Sequence, residues 1–325
     1  MLPCKAGVVY STIGIHPCSS AVFSAHHKED ADGHTMPCDP DPTKPIPEDQ
    51  EPCPQKTDEL ISKLASFVET ARSLPSSNGA GLVAFGEFGL DYDRLHYCSR
   101  LIQLHSFDAQ LKLAASLKPQ LPLFLHSRAA HSDFVRLLKT HYGEKLERLT
   151  TGAVVHSFTG TVEEMRELMH LGLYIGVNGC SFKTAENCAV VKEMDLNYIM
   201  IETDGPWCEV RPSHEGWKYL VAAAGAAPSA STDCTSSKER ATAGQQSKRG
   251  SKKHPVKKDS EIPERYMVFK KEKWTEGAMV KGRNEPCMIE RVATIVAGIQ
   301  GVELQAVCES AWANTVKVFG VGEAT

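Results

Sequence analysis

The chain has 325 residues, a hydrophobic fraction of 42% and a formal net charge of −4. That length suits one large domain with insertions or two smaller ones, and the near-neutral balance excludes a surface that traps polyanions as a whole, so any nucleic-acid contact must be local. No apolar run approaches the ~20 residues of a membrane span, and the opening MLPCKAGVVYSTIGIHP lacks the n-region, h-region and cleavage site of a signal peptide. Eleven scattered cysteines without a C-x-x-C pair argue against a disulfide framework or structural zinc. They are expected as reduced thiols in a cytosolic or nuclear protein.

In chain order, a strand is expected over residues 8–15, ending in GIHP. A polar stretch follows with seven prolines between Pro37 and Pro54, read as a loop insertion over 24–56 because proline suits neither a strand centre nor a helix interior. A helix should begin near Thr57, with Asp58 and Glu59 in its first turn and Leu60, Leu64, Phe67 or Val68, and Ala71 on one face. Strands are predicted at 82–87, 121–125, 153–155, 173–177 and 198–201. Helices are predicted around 101–114, at 133–141, from a Thr161/Glu164 capping box, and from about Thr184. The order βαβαβαβαβαβ implies parallel strands with crossover helices. After Pro206 the composition shifts. Residues 222–262 are expected as a disordered insertion, with eight basic residues against one acid between Lys238 and Lys258. A solvated loop explains that block, with a nuclear-import signal or nucleic-acid tether as the sharper reading. Two closing helices are expected, one on Ile289, Val292 and Val296, the other on Leu304, Val307, Ala311 and Val316 and packing across the barrel.

Four of the predicted strands run into a residue able to hold a divalent cation. They are Glu87 in VAFGEFGLD, His126 in LPLFLHSR, His156 in GAVVHSF and Asp204 in YIMIETDGP. Short apolar runs of this kind suit strands buried on both faces, and ligands at their carboxyl ends would converge on one face of a (β/α) barrel. A carboxylate after VAF is costly to bury unless paired, and a cation removes that cost. The repeat of an apolar strand followed by histidine, one βα unit apart, favours ligation by neutral imidazole. Salt bridges or a helix cap are the plainer alternatives for the carboxylates. Asp204 can also take a proton from water. His16 in GIHP is a candidate phosphate contact or a turn residue. Arg128 can grip phosphate oxygens bidentately, unless it pairs with Glu202 or Asp91. His26, His27, His34 and Cys38 resemble a metal cluster in composition only. There is no phosphate loop of the G-x-x-x-x-G-K-[ST] type and no G-x-S-x-G elbow.

Together, STIGIHP, VAFGEFGLDYDR, LPLFLHSR, VVHSFTGT, GLYIGVNGCSFKT, IMIETDGPWC, RNEPC and NTVKVF resemble the TatD family of metal-dependent deoxyribonucleases, in the family's order and over most of the chain. DYDRL, GCSFKT and RNEPC look most like its eukaryotic branch. The resemblance implies one α/β domain over residues 1–325 with a TIM-type barrel of the metal-dependent hydrolase kind. It also implies hydrolysis of DNA phosphodiesters with one or two divalent cations, Mg²⁺ or Mn²⁺, with Zn²⁺ as an option. Glu87, His126, His156 and Asp204 would hold the metal. Asp204 and Glu87 would be the catalytic carboxylates, and His16 and Arg128 would contact substrate. DNA is the implied partner, with no membrane and no stable protein partner. The chain reads ETDGP where the family has ETDAP. The family also begins with a metal-site strand, a helix and a second strand, so a barrel incomplete at its N-terminal side is expected, with six strands of eight and open apolar edges. The expectation is that Met1 is not the biological start or that the chain is a truncated isoform. A different amidohydrolase-type hydrolase, or an inactive isoform, are the rival readings.

Overall fold

A computed structural model describes residues 9–25, 51–73, 80–226, 262 and 266–321. Six strands, β1 (Val9–Ile13), β2 (Ala80–Asp91), β3 (Leu123–Arg128), β4 (Ala153–His156), β5 (Tyr174–Val177) and β6 (Ile199–Ile201), pair in chain order, and every pairing is parallel. The helices α1 (Pro54–Ser73), α2 (Arg100–Ser116), α3 (His131–Tyr142), α4 (Val162–His170) and α5 (Ala185–Glu193) lie one between each strand and the next. This βα repeat forms a curled half-barrel, as the order of apolar runs requires. After β6 come α6 (Trp217–Ala226), a two-stranded parallel ribbon of β7 (Val268–Phe269) and β8 (Met279–Val280), and the helices α7 (Ile289–Gln300) and α8 (Leu304–Phe319).

Local chemistry sets the helix ends. Thr161 and Glu164 form the full capping box of α4, and the Ser99 and Thr184 side chains accept from the first turns of α2 and α5. Gly301 and Gly320 end α7 and α8 in the left-handed conformation. Helix α1 starts at Pro54, earlier than Thr57, because proline in a first turn forfeits no hydrogen bond. Residues 222–226, expected as irregular chain, complete α6, since an alanine run favours helix. The β7–β8 ribbon had no sequence expectation. Most of the proline-rich segment, the histidines within it and the basic block at 238–258 lie outside the described residues. Among the described residues no single helix is long and apolar enough to cross a membrane.

The two faces of the sheet have different partners. Leu123, Leu125, Ala153, Val155 and Ile175 face the helices in the main core, where a chain of rings runs from Phe85 through Phe88 and Phe107 to Phe134 at centroid spacings of 5.1–5.5 Å. Val154, Tyr174 and Met200 line the other face with Phe124, and Val318 and Phe319 of α8 pack against them. The two edges also differ. Strand β1 is largely exposed, with Val9 71% accessible, so burial on both faces does not hold for it. At the β6 edge, Asn314 of α8 donates to the Leu196 and Ile199 carbonyls, and part of that edge is thereby occupied.

Helix α2 fixes the backbone beside the site through two buried glutamines. Gln103 accepts from the Asp91 amide at 2.7 Å and donates to the Asp91 carbonyl at 2.9 Å. Gln110 does the same for Ile15, at 2.7 and 3.0 Å. Replacing Gln110 by alanine leaves an amide and a carbonyl without their partner. Each such group costs about 1–3 kcal/mol, so urea denaturation should show a loss of roughly 2–4 kcal/mol.

Candidate metal centre

Glu87 is where the strand pattern breaks. The register of β2 on β3 shifts between Gly86 and Phe88, so Glu87 is the extra, bulged residue. A bulge bends its strand and re-aims a side chain. The sequence reading ended this strand at Glu87, but the strand runs on to Asp91. The half-buried carboxylate is well supplied with partners and does not break the run. Gly86 and Gly89, at φ +148° and +151°, permit the close approach to β3: a Cβ on Gly89 would lie 1.9 Å from the His126 carbonyl oxygen. The register of β3 on β4 sets His126 opposite His156.

The three side chains meet. Glu87 Oε1 lies 2.9 Å from His126 Nδ1, 2.5 Å from His156 Nε2 and 3.4 Å from His16 Nε2, and the two former nitrogens are 3.3 Å apart. Each imidazole has a second carboxylate behind it. His126 Nε2 is 3.0 Å from Asp91 Oδ2, and His156 Nδ1 is 3.4 Å from Glu202 Oε1. A neutral histidine offers one donor and one acceptor. If the rear nitrogens donate to Asp91 and Glu202, the front nitrogens present lone pairs to a carboxylate oxygen, acceptor against acceptor. Either a second proton on each ring or a cation between the donors resolves this. Carboxylate–histidine–metal triads have this layout, and the donor set fits a divalent cation.

The electrostatics agree. Burial alone would raise the Glu87 carboxyl, but His156 and hydrogen bonds from His126, His156 and His16 outweigh it and hold it well below the usual range. Burial would likewise lower His156, and Glu202 and Glu87 push it well above its ordinary value. Asp91, opposed by burial, is held down by His126, Arg128 and Arg94.

His16, Glu87 and His126 place ligand atoms within 4.8 Å of one another. The Nδ1 of His16, however, already accepts from the Cys18 amide at 3.2 Å. Its Nε2 therefore carries the proton and donates to Glu87, which suits a group that orients the carboxylate or meets a phosphate better than a ligand. Asp204 stands in the loop after β6 at φ +51° and lines the same cleft, its Oδ2 accepting from the Cys208 thiol at 3.0 Å. Burial raises its carboxyl above the usual value. Ala129 and Ser157, the residues that follow β3 and β4, also have φ near +50°. Left-handed backbone at non-glycine residues is costly and gathers at functional sites.

A sequence comparison places this geometry. The pattern of the family described as TatD related DNase matches residues 4–320. The chain belongs to the TatD related DNase family. It is 37% identical over 309 residues to a protein of Schizosaccharomyces pombe named deoxyribonuclease Tat-D, spanning 95% of this chain and 74% of that one. A Saccharomyces cerevisiae protein of the same name is 30% identical over 96% of this chain and 74% of its own. The fold matches the crystal structure of an uncharacterized amidohydrolase from Saccharomyces cerevisiae with a TM-score of 0.69 and 29% identity, over 95% of this chain and 80% of that one.

The TatD-type cleft, about 380 Å³, brings all six sequence-predicted residues together: His16, Glu87, His126, Arg128, His156 and Asp204. Arg128 has no ion pair with Glu202 or Asp91; its charge acts on Asp91 and Cys180 across the cleft. The sequence presents Asp91 and Glu202 only as partners for Arg128. Asp91 had a readable signal, since residues 87, 89 and 91 alternate onto one face of the strand. Glu202 holds the apex of β4: it accepts from the Ser157 amide at 2.6 Å and from Asn178 at 3.0 Å. Arg94, Lys183, Trp207 and Cys208 reach the cleft from loops, and spacing gave no hint of them. Changing Asp91 to asparagine removes the carboxylate behind His126. Such outer partners are worth roughly 10–100-fold in metal affinity, and Mn²⁺ titration by calorimetry should show a loss of that size.

Proposed function

We propose that this chain hydrolyses DNA phosphodiester bonds with one or two divalent cations held by Glu87, His126, His156 and Asp204. The observation that carries the reading is the pair of imidazoles held between carboxylates, with Glu87 Oε1 facing both front nitrogens. The relatives named deoxyribonuclease Tat-D support the substrate. Mg²⁺ or Mn²⁺ suits the carboxylate share of the donors, and the histidines also admit Zn²⁺.

When bound, the cation lowers the pKa of water and offsets phosphate charge. The chain supplies the rest. Asp91 and Glu202 hold the rear nitrogens of His126 and His156 and so fix tautomer and ring orientation. Asp204, whose burial makes its carboxyl more basic, accepts the proton of the attacking water. Arg128, on the cleft wall with no ion pair among the described residues, meets the negative charge that develops on the phosphate oxygens. His16 Nε2–H orients Glu87 and can donate to a phosphate oxygen. The odd number of scattered cysteines supports a reducing compartment, cytosol or nucleus.

Oligodeoxynucleotides labelled at the 5′ or the 3′ end, incubated with the chain and Mn²⁺, test the reading. Shortened products are expected, and the two labels together report whether cleavage starts at an end. Intact DNA at every metal and strand state would refute it.

A further inference from the structure

Beyond the donors, one wall of the cleft carries an aromatic plane largely open to solvent. Trp207 is 63% exposed, although tryptophan is normally well buried. A tight turn sets its position: its amide donates to the Asp204 carbonyl at 2.8 Å, so the indole stands one turn from the reaction centre. Among the described residues no ring and no cation packs on its face. Lys183 lies on the same wall, just past the turn that follows β5. It is exposed, has no carboxylate partner among the described residues, and its ammonium reaches the Cys180 thiol. It also lines an adjoining groove of about 500 Å³ whose wall carries His214 and Lys218. Glu215 on the same wall pairs with Lys218, and after burial Lys183 and Arg211 are what push His214 below its ordinary value.

An indole open to solvent beside an exposed lysine matches the chemistry of single-strand binding, in which bases stack on aromatic faces while basic groups track the backbone. We propose that Trp207 and Lys183 form a nucleotide subsite beside the metal centre. An unstacked base lies on the indole, and the neighbouring phosphate lies on the lysine where the cleft opens into the second groove. The inference rests on the nuclease reading for the direction of the strand through the cleft. Bases paired inside a duplex cannot reach the indole face, so the base that the subsite takes is an unpaired one, in a single strand or at a frayed end.

Fluorescence anisotropy of a labelled single-stranded decamer, in EDTA so that no cleavage occurs, tests it. Trp207→Ala should weaken binding about tenfold, in keeping with the worth of one stacked base, whereas Trp207→Phe should stay within about threefold. A decamer with abasic residues near the scissile position should bind the wild-type chain about tenfold more weakly and be indifferent to Trp207→Ala. Lys183→Met should flatten the plot of log affinity against log salt by about 0.7, the share of one phosphate contact on a single strand. Equal binding by wild type and Trp207→Ala, an equal loss on the abasic decamer, or no binding by the wild-type chain would each overturn the subsite. Failure of the nuclease reading shows up separately, as tryptophan-dependent binding without cleavage at any divalent cation.

Discussion

His156→Ala is expected to remove metal-dependent cleavage while leaving the fold in place, and Glu87→Gln is expected to do the same. His156 Nε2 lies 2.5 Å from Glu87 Oε1, and the His126 and His156 rings are both buried. Removing the imidazole leaves Glu87 with one front nitrogen and leaves Glu202 without the ring it faces. Loss of an outer partner already costs roughly 10–100-fold in affinity or activity, so loss of a ligand should exceed about a hundredfold in both. The three histidines hold the Glu87 carboxyl well below its usual range, so Glu87→Gln gives up part of their attraction and loses some stability, while the hydrophobic core behind the strands is untouched. Circular dichroism should therefore show an intact fold, and calorimetry should show Mn²⁺ binding lost. Undiminished cleavage by either variant would refute the assigned roles.

Gly89→Ala should damage the scaffold more than any exposed substitution. The added Cβ would lie 1.9 Å from the His126 carbonyl oxygen and 3.0 Å from its amide nitrogen, in a backbone at φ +151°. Backbone cannot move aside as a flexible side chain can. Overpacking costs about 1–3 kcal/mol, and the backbone conformation adds about 1–2, so a loss of roughly 3 kcal/mol and a fall in Tm of about 6 °C or more are expected. Gly172→Ala is the matched control. Its φ is +81° with nothing within 4 Å, so only the conformational cost of about 1 kcal/mol applies. Thermal melts of the two variants side by side separate clash from conformation. Equal losses would show that β2 and β3 are not held as closely as described.

What could be read from the sequence follows from how each residue reaches the site. His126 and His156 sit at equivalent ends of successive apolar strands, so local pattern and site coincide. Glu87 was visible as a carboxylate after VAF, but the strand was ended there because a charged residue normally closes a buried run. Its partners, contributed by the turn after β1 and by β3 and β4, are what let β2 continue to Asp91. Asp91 and Glu202 act behind histidines on neighbouring strands, a relation that exists only across the sheet. Trp207 and Lys183 come from different loops and share a wall only after β5 and β6 pair. Helix α6 was hidden because its alanines run into a segment of low hydrophobicity, where composition outweighed propensity.

The central claim is that these donors work through a bound divalent cation. The direct measurement is cleavage of an end-labelled single-stranded oligonucleotide by chelator-stripped protein titrated with Mg²⁺, Mn²⁺ or Zn²⁺. The account predicts no cleavage in EDTA, recovery that saturates with added metal, and no recovery for His156→Ala at the same concentrations. Cleavage that persists in EDTA, or metal binding that saturates while the oligonucleotide stays intact, would contradict it.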